Sequence, residues 1–473
     1  MVKLKIFNRF RKIHLSILNR KKLDPQIVSN EFLFLTRFHP ELLRRYIIDK
    51  DNKSTYELKN FFLTLFNYFK TFIKSNKNLS TINFKKKKIL FLSTIDHKKY
   101  LIKENQHFSD LIKTFKDHDY VEVLKNNFEK LNNEEKISIY KKKFKRIYLT
   151  NSLGFLQEIK ILVSLYFSFY LMRKKKYLRN FFTFDAFFLA LRNYRFYIQF
   201  SSLLKILKPE IIFFTYESYP WERLIVKAAK DYDDKIKCVG YQKSVITKYS
   251  HLMKTNFKDD SYNPNFIICK SKISRKKLLS QSLLRKSQVV VAGKDVRKKN
   301  KIKIFNNLKV LVVPESWKME EKKMFLFTKR CAEKYPNVSF IFRQHPASEF
   351  NISKSNFVNI KNLIISKNTL DTDFKNNNII FFRGSYAVIK AAENGLFPVY
   401  LNFKNDLDAN INPIYEIEKK ICKIREPEDF RFIIKNVRNS NSIKNKINIR
   451  NHCRQLEVPI DKKLLSKSLG IKI

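Results

Sequence analysis

Glycine is scarce in this chain, 6 in 473 residues, and so is acid, with 43 Asp and Glu against 96 Lys and Arg. Lys, Asn, Ile and Phe crowd the sequence instead, a mixture that an AT-rich coding sequence produces whatever its product does. The formal charge of +53 is therefore discounted as a mark of nucleic-acid binding. A field of that sign attracts nucleotide, anionic lipid, polyanionic glycan and nucleic acid alike, and no recognisable nucleic-acid motif stands in the chain. The five cysteines, Cys238, Cys269, Cys331, Cys422 and Cys453, are odd in number and scattered, with no pair at the spacing of a zinc or redox site. A reducing, cytoplasmic setting fits, and no metal is expected. Long apolar runs are missing too. The longest uncharged one, 161–172, has 12 residues, short of the roughly 20 a spanning helix needs. The opening MVKLKIFNRFRKIHLSILNRKK is broken by charge every few residues and lacks the apolar stretch of a signal peptide.

What is present is enough apolar residue, 44%, to build more than one core, and at this length two domains are the natural expectation. Residues 1–85 form a basic, Phe- and Leu-rich extension of helical period. It suits either an anionic membrane surface or a helical elaboration with a solvated charged face. At ILFLSTI, from Ile89, the pattern becomes β-rich. Apolar helical stretches follow over 147–200, including FFTFDAFFLALRNYRFYIQF, which read as core, a membrane-facing or acceptor-lining surface being the alternative. Then strand and helix alternate: EIIFFTYE, a helix from Trp221, KIKCVGYQK, NFIIC, QVVVAG. After a polar, basic stretch at 300–307 the alternation resumes with KVLVVPES, a helix, VSFIFRQHP, NLIIS, IIFFR, a helix and PVYLNF. Strand, helix, strand at this spacing implies right-handed crossovers and parallel sheets. The expected fold is α/β: two Rossmann-like lobes facing a cleft, at 86–299 and 300–440, with a helical tail at 441–473.

Two segments carry the chemistry. VSFIFRQHP sets His345 and Pro346 just past an apolar run, with Arg343 two residues earlier, and IIFFRGSYAVIK sets Gly384 and Ser385 where another run turns into a helix, beside Arg383. Ligands of open parallel sheets gather at the carboxyl edge. The first amides of a helix have no partner within it and favour anions, so a phosphate site built from Arg343, His345, Arg383, Gly384 and Ser385 is expected. Asp371-Thr-Asp373 and Asp406-Leu-Asp408 spell a metal-binding pattern, but the first is read as a helix cap and the second as loop. His97, His251, Trp221 and Trp317 read as packing or surface residues.

RQHP followed by GSY resembles the GT-B glycosyltransferases that build bacterial capsule and other surface polysaccharides, particularly the sialyltransferase and Kdo-transferase-like groups that use CMP-activated acidic sugars. TYESYPWERLIVKAAK followed by VGYQKS is similar to surface-carbohydrate biosynthesis proteins. Together these matches cover roughly 205–420, with departures at Lys243, in place of a His, and at Lys270, in place of a Gly. The resemblance implies a nucleotide-activated sugar as co-substrate, a glycan or glycolipid acceptor and, beyond the sugar nucleotide, no cofactor. It implies His345, Ser385 and the Gly384 amides on the leaving phosphate. Glu217, or failing it Glu222, would be the base from the opposite lobe, and Glu315 and Glu393 the ribose or base contacts. A CDP-polyol phosphotransferase of the teichoic-acid type would use a similar His and Ser arrangement, and a non-catalytic glycan- or polyanion-binding scaffold would be favoured if Lys243 marks wider erosion of the site.

Overall fold

The computed structural model describes residue 12 and residues 15–30, 88–95, most of 107–126, 146–149, 153–175, 184–293 and 307–471, the two longest spans with short breaks. The basic extension expected over 1–85 thus falls largely outside the described residues, as do Lys243, His97, His251, Trp317, Asp406 and Asp408.

The strands of the first lobe are β1 Ile89–Ile95, β2 Tyr120–Asn126, β3 Arg146–Leu149, β4 Ile211–Thr215, β5 Lys237–Tyr241, β6 Phe266–Cys269 and β7 Val289–Val291. They form one sheet in the order β3-β2-β1-β4-β5-β6-β7, and β1 lies parallel to both β2 and β4. With them go the helices α1 Pro25–Val28, α2 Asp110–Thr114, α3 Phe155–Arg173, α4 Phe184–Leu207, α5 Pro220–Tyr232 and α6 Lys272–Leu279. Every residue of β4 is buried, as expected of a parallel strand covered on both faces. On one face Leu90, Leu92, Ile212 and Phe214 pack against Phe200 and Leu204 of α4 and Ile225 of α5. On the other, Phe91 and Phe213 stack with ring centroids 4.8 Å apart.

The second lobe contains β8 Lys309–Val313, α7 Lys318–Lys334, β9 Ser339–Phe342, β10 Leu363–Ile365, α8 Leu370–Asn376, β11 Ile379–Phe382, α9 Ala387–Glu393, β12 Phe397–Leu401, β13 Cys422–Ile424, α10 Phe430–Asn436 and α11 Ser440–Arg454. Its six strands run in the order β10-β9-β8-β11-β12-β13, with β8 parallel to both β9 and β11. In each lobe the first strand has neighbours reached by chain excursions in opposite directions, so the crossovers diverge beside β1 and beside β8. These are the switch points where an open parallel sheet leaves a crevice at its carboxyl edge.

The last helix, α12 Lys462–Leu469, returns to the first lobe. Leu465 and Leu469 join the core of Phe91, Phe108, Phe115 and Phe213, and Lys237 Nζ donates to the Leu469 carbonyl at 2.6 Å. The lobes also touch directly, because Val245 and Ile273, which lie beyond β5 and β6, pack against the second-lobe core.

Candidate functional site

At the switch point of the second lobe, Glu315 follows β8 and Gly384 follows β11. The Glu315 carboxylate lies on the glycine so closely that a Cβ at Gly384 would overlap Oε1 and stand 2.5 Å from Cδ. Glycine is required here by close approach, not by backbone conformation. Ser385 comes next and its hydroxyl accepts from the Ala387 N–H at 3.4 Å. On the opposite side of β8, the loop after β9 carries His345. Its N–H donates to Glu321 Oε1 on α7 at 3.2 Å, and Ser348 Oγ donates to the other carboxylate oxygen. Burial raises the Glu321 carboxyl to about 7 in spite of the His345 N–H. Burial also lowers the His345 imidazole, so at neutral pH the ring is a neutral hydrogen-bonding group.

Both arginines are engaged with carboxylates inside the second lobe. Arg383 turns inward, 3% exposed, with its guanidinium on the Glu320 carboxylate, Nη1 donating to the Leu401 carbonyl at 2.7 Å, and Phe403 beneath it. Arg343 donates to Asp373 at 2.8 Å and to the Asn368 carbonyl at 2.6 Å. Each guanidinium is thus paired with a carboxylate and bonded to a carbonyl inside the lobe. Asp373 is therefore an ion-pair partner rather than a cap; Thr369 caps α8, accepting from the Thr372 N–H.

Glu393 sits in the last turn of α9, at the opposite end from Ser385, 3.0 Å from Lys390 Nζ, with its carboxyl raised by burial and its own carbonyl accepting from Arg450.

In the first lobe, Glu217 follows β4 at the other switch point and is 6% exposed. Ser244, beyond β5, donates its hydroxyl to Glu217 Oε1, so the YES and GYQKS segments meet. Glu222 is fully engaged in building that loop. Its carboxylate accepts from the Glu217 N–H at 2.9 and 2.8 Å, from the Tyr219 N–H at 3.0 Å and from Thr215 Oγ1 at 3.3 Å. It is a loop and helix cap, and the expectation of a reserve base is corrected. The next residue, Arg223, is buried too, donating to Tyr216 Oη at 2.8 Å and the Thr255 carbonyl at 2.9 Å. Tyr216 in turn explains Gly240, where a Cβ would stand 2.8 Å from Cδ2 of its ring.

Sequence reading missed how the lobes are joined. Lys270, just past β6, reaches Glu457 Oε1 at 3.2 Å across the Tyr386 ring, whose centroid is 5.0 Å from Nζ. Tyr386 donates its hydroxyl to the same carboxylate, and Lys390 binds its other oxygen at 2.8 Å. Because Tyr386 follows Ser385 directly, the loop past β11 abuts the loop past β6, and the two carboxyl edges face each other. A long-range lysine-glutamate pair leaves no periodic trace in a sequence; only the departure at Lys270 marked the place. Burial raises all five cysteine thiols, Cys238, Cys269 and Cys331 to about 12, which disfavours the thiolate.

The same two-lobed architecture is found in a solved structure of the glycotransferase of kitacinnamycin, matched over 81% of this chain and 99% of that one, with a TM-score of 0.51 and 10% identity. The fold is GT-B. The UDP-GlcNAc 2-epimerase of Neisseria meningitidis, solved with UDP-GlcNAc, is matched over 81% of this chain and 99% of its own at TM-score 0.48 and 12% identity. The spinosyn rhamnosyltransferase SpnG, solved with thymidine diphosphate, is matched over 77% and 96% at 0.44 and 8%. No protein-family model and no curated protein sequence matches the chain.

Proposed function

We propose that this GT-B chain is a nucleotide-sugar-dependent glycosyltransferase, acting in the cytoplasm on a surface-polysaccharide or lipid-linked glycan acceptor, with a CMP-activated acidic sugar as donor. The contact between lobes at the carboxyl ends of two strands supports the reading: Lys270, past β6, lies over the ring of Tyr386, past β11. Glu315 against Gly384 lies past strands of the second sheet and Glu217 against Ser244 past strands of the first. The CMP donor and the acidic sugar rest on the RQHP and GSY resemblance alone.

The chemistry divides between the lobes. As the bond from the sugar to the leaving phosphate breaks, its electron pair goes to a phosphate oxygen. His345, Ser385 and the amides beyond Gly384 donate hydrogen bonds to the growing charge, each fixed donor of this kind being worth a factor of about 10²–10³. With both arginines committed to carboxylates, these neutral donors do the stabilising. Glu315 accepts from a ribose hydroxyl, a role for a carboxylate at such a switch point. Glu217 takes the proton from the attacking acceptor hydroxyl while Ser244 orients it.

Thermal-shift measurement against CMP, CDP, UDP and GDP tests the reading, with His345→Ala and Ser385→Ala alongside. Stabilisation by CMP that both substitutions abolish is expected. Unchanged melting with every nucleotide would count against transfer.

A further inference from the structure

Of the two readings of the apolar helical stretches over 147–200, core or outward-facing surface, α3 shows both, one on each side. On α3, Ile161, Leu165, Phe169 and Met172 pack against Leu18, Val28 and Ala190. The outward face exposes large apolar side chains along the whole length, among them Leu156, 79% exposed, Val163, Tyr166, Phe167, 58% exposed, and Leu171. At 100° per residue these fall on one contiguous arc. A continuous patch of this kind marks an interaction surface.

We infer that this face of α3 docks the protein onto the anionic surface of a lipid bilayer. The charge on the helix selects that occupant. Lys160, Lys174 and Lys175 are exposed on or beside the apolar arc. The one acid of the helix, Glu158, is buried on the opposite side and paired with Arg195 at 2.8 Å. Aliphatic and aromatic side chains rimmed by lysines and free of exposed acid fit a layer of anionic headgroups over acyl chains. They fit a second copy poorly, because each copy carries +53 and would bring the same lysines to the contact.

The helix lies on the membrane rather than through it. By length and composition alone its 19 residues would cross a bilayer, but its inner face is held to the lobe by the Glu158–Arg195 pair and by Phe169 edge-on to Phe187 at 5.4 Å. Laid flat it offers an apolar strip roughly 28 Å long. The inference stands independently of the transfer reading.

Co-sedimentation of the full chain with phosphatidylcholine vesicles, with and without phosphatidylglycerol, tests it. The variants are Leu156→Glu with Phe167→Glu, and Lys174→Gln with Lys175→Gln. All four positions are exposed, and unchanged melting confirms that the fold is kept. Wild type should bind the phosphatidylglycerol vesicles and lose binding as salt rises. The glutamate pair should weaken partition by on the order of tenfold or more, and the glutamine pair should weaken it and flatten the salt dependence. Three results would overturn the inference. They are no binding to anionic vesicles, binding that the glutamate pair leaves intact, as the basic residues of 1–85 acting alone would give, and a lipid-free dimer that the glutamate pair disperses.

Discussion

Arg383→Ala separates a structural arginine from a phosphate ligand. The side chain is 3% exposed and its carboxylate partner Glu320 is 4% exposed, so truncation leaves a buried glutamate whose nearest cation is gone. Breaking a buried pair from one side costs about 3–5 kcal/mol. In a lobe of this size each kcal/mol moves the melting midpoint by roughly 2–4 °C, so a fall of roughly 6–20 °C is expected. Loss of packing over Tyr400 and Phe403, both beneath the guanidinium, pushes toward the upper end. Arg383→Met combined with Glu320→Leu removes both charges and should recover most of the loss, because the penalty comes from the orphaned charge. Melting by circular dichroism supplies the stability, and nucleotide-induced shifts on the surviving folded protein supply the binding. Wild-type melting for Arg383→Ala together with lost nucleotide stabilisation would refute the argument and return Arg383 to the phosphate.

Glu217→Gln should keep the melting temperature and nucleotide binding yet lower turnover by orders of magnitude; retained activity would remove Glu217 as base. Glu222→Gln presents an NH2 group where backbone N–H groups now donate, and should destabilise by about 1–3 kcal/mol, read by urea unfolding. Gly384→Ala forces Glu315 aside and should abolish nucleotide stabilisation with only a modest fall in melting, and unaltered nucleotide shifts would show that the Glu315 contact is incidental. Glu321 supplies a pH signature. Its folded value of about 7 lies above its ordinary 4.5, so the native state favours the protonated form. The stability it contributes is complete below about 4.5 and is lost as pH rises through 7. Glu321→Gln should flatten that slope in stability against pH, and an identical profile would contradict the buried carboxyl.

Legibility followed the way each element is stabilised. Strands β4, β11 and β12 are buried along their whole length and read directly as apolar runs. Strands β2 and β3 escaped notice because their pairing is polar: Arg146 Nε meets Glu122 at 2.6 Å, with both side chains buried, which hides the apolar signal. The helix α3 left core and surface both open, since hydrophobicity identifies a helix but not which side of it is covered. At the site, the loops after β8, β9, β11 and β4 were legible because carboxyl ends of strands are local features. The arginine orientations were not. Arg383 is claimed by Glu320, 63 residues earlier, and Arg343 by Asp373, 30 residues later. A side chain's local motif does not reveal a partner that arrives through tertiary packing.

The departure at Lys270 carries the most consequence. As a turn residue it would need only to leave the strand, and a glycine would do that. Here it is 5% exposed and bound to Glu457, which Tyr386 and Lys390 also hold. A buried lysine with one carboxylate is retained only if that carboxylate is fixed. Fixing it takes Tyr386, so the loop bearing Ser385 is set by a residue of the opposite lobe. Residue 457 belongs to neither sheet: it lies between α11 of the second lobe and α12, which packs under the first. The chain's return to the first lobe, the meeting of the lobes and the placing of the second motif thus share one carboxylate, and a change at Glu457 should act on lobe contact and nucleotide site together.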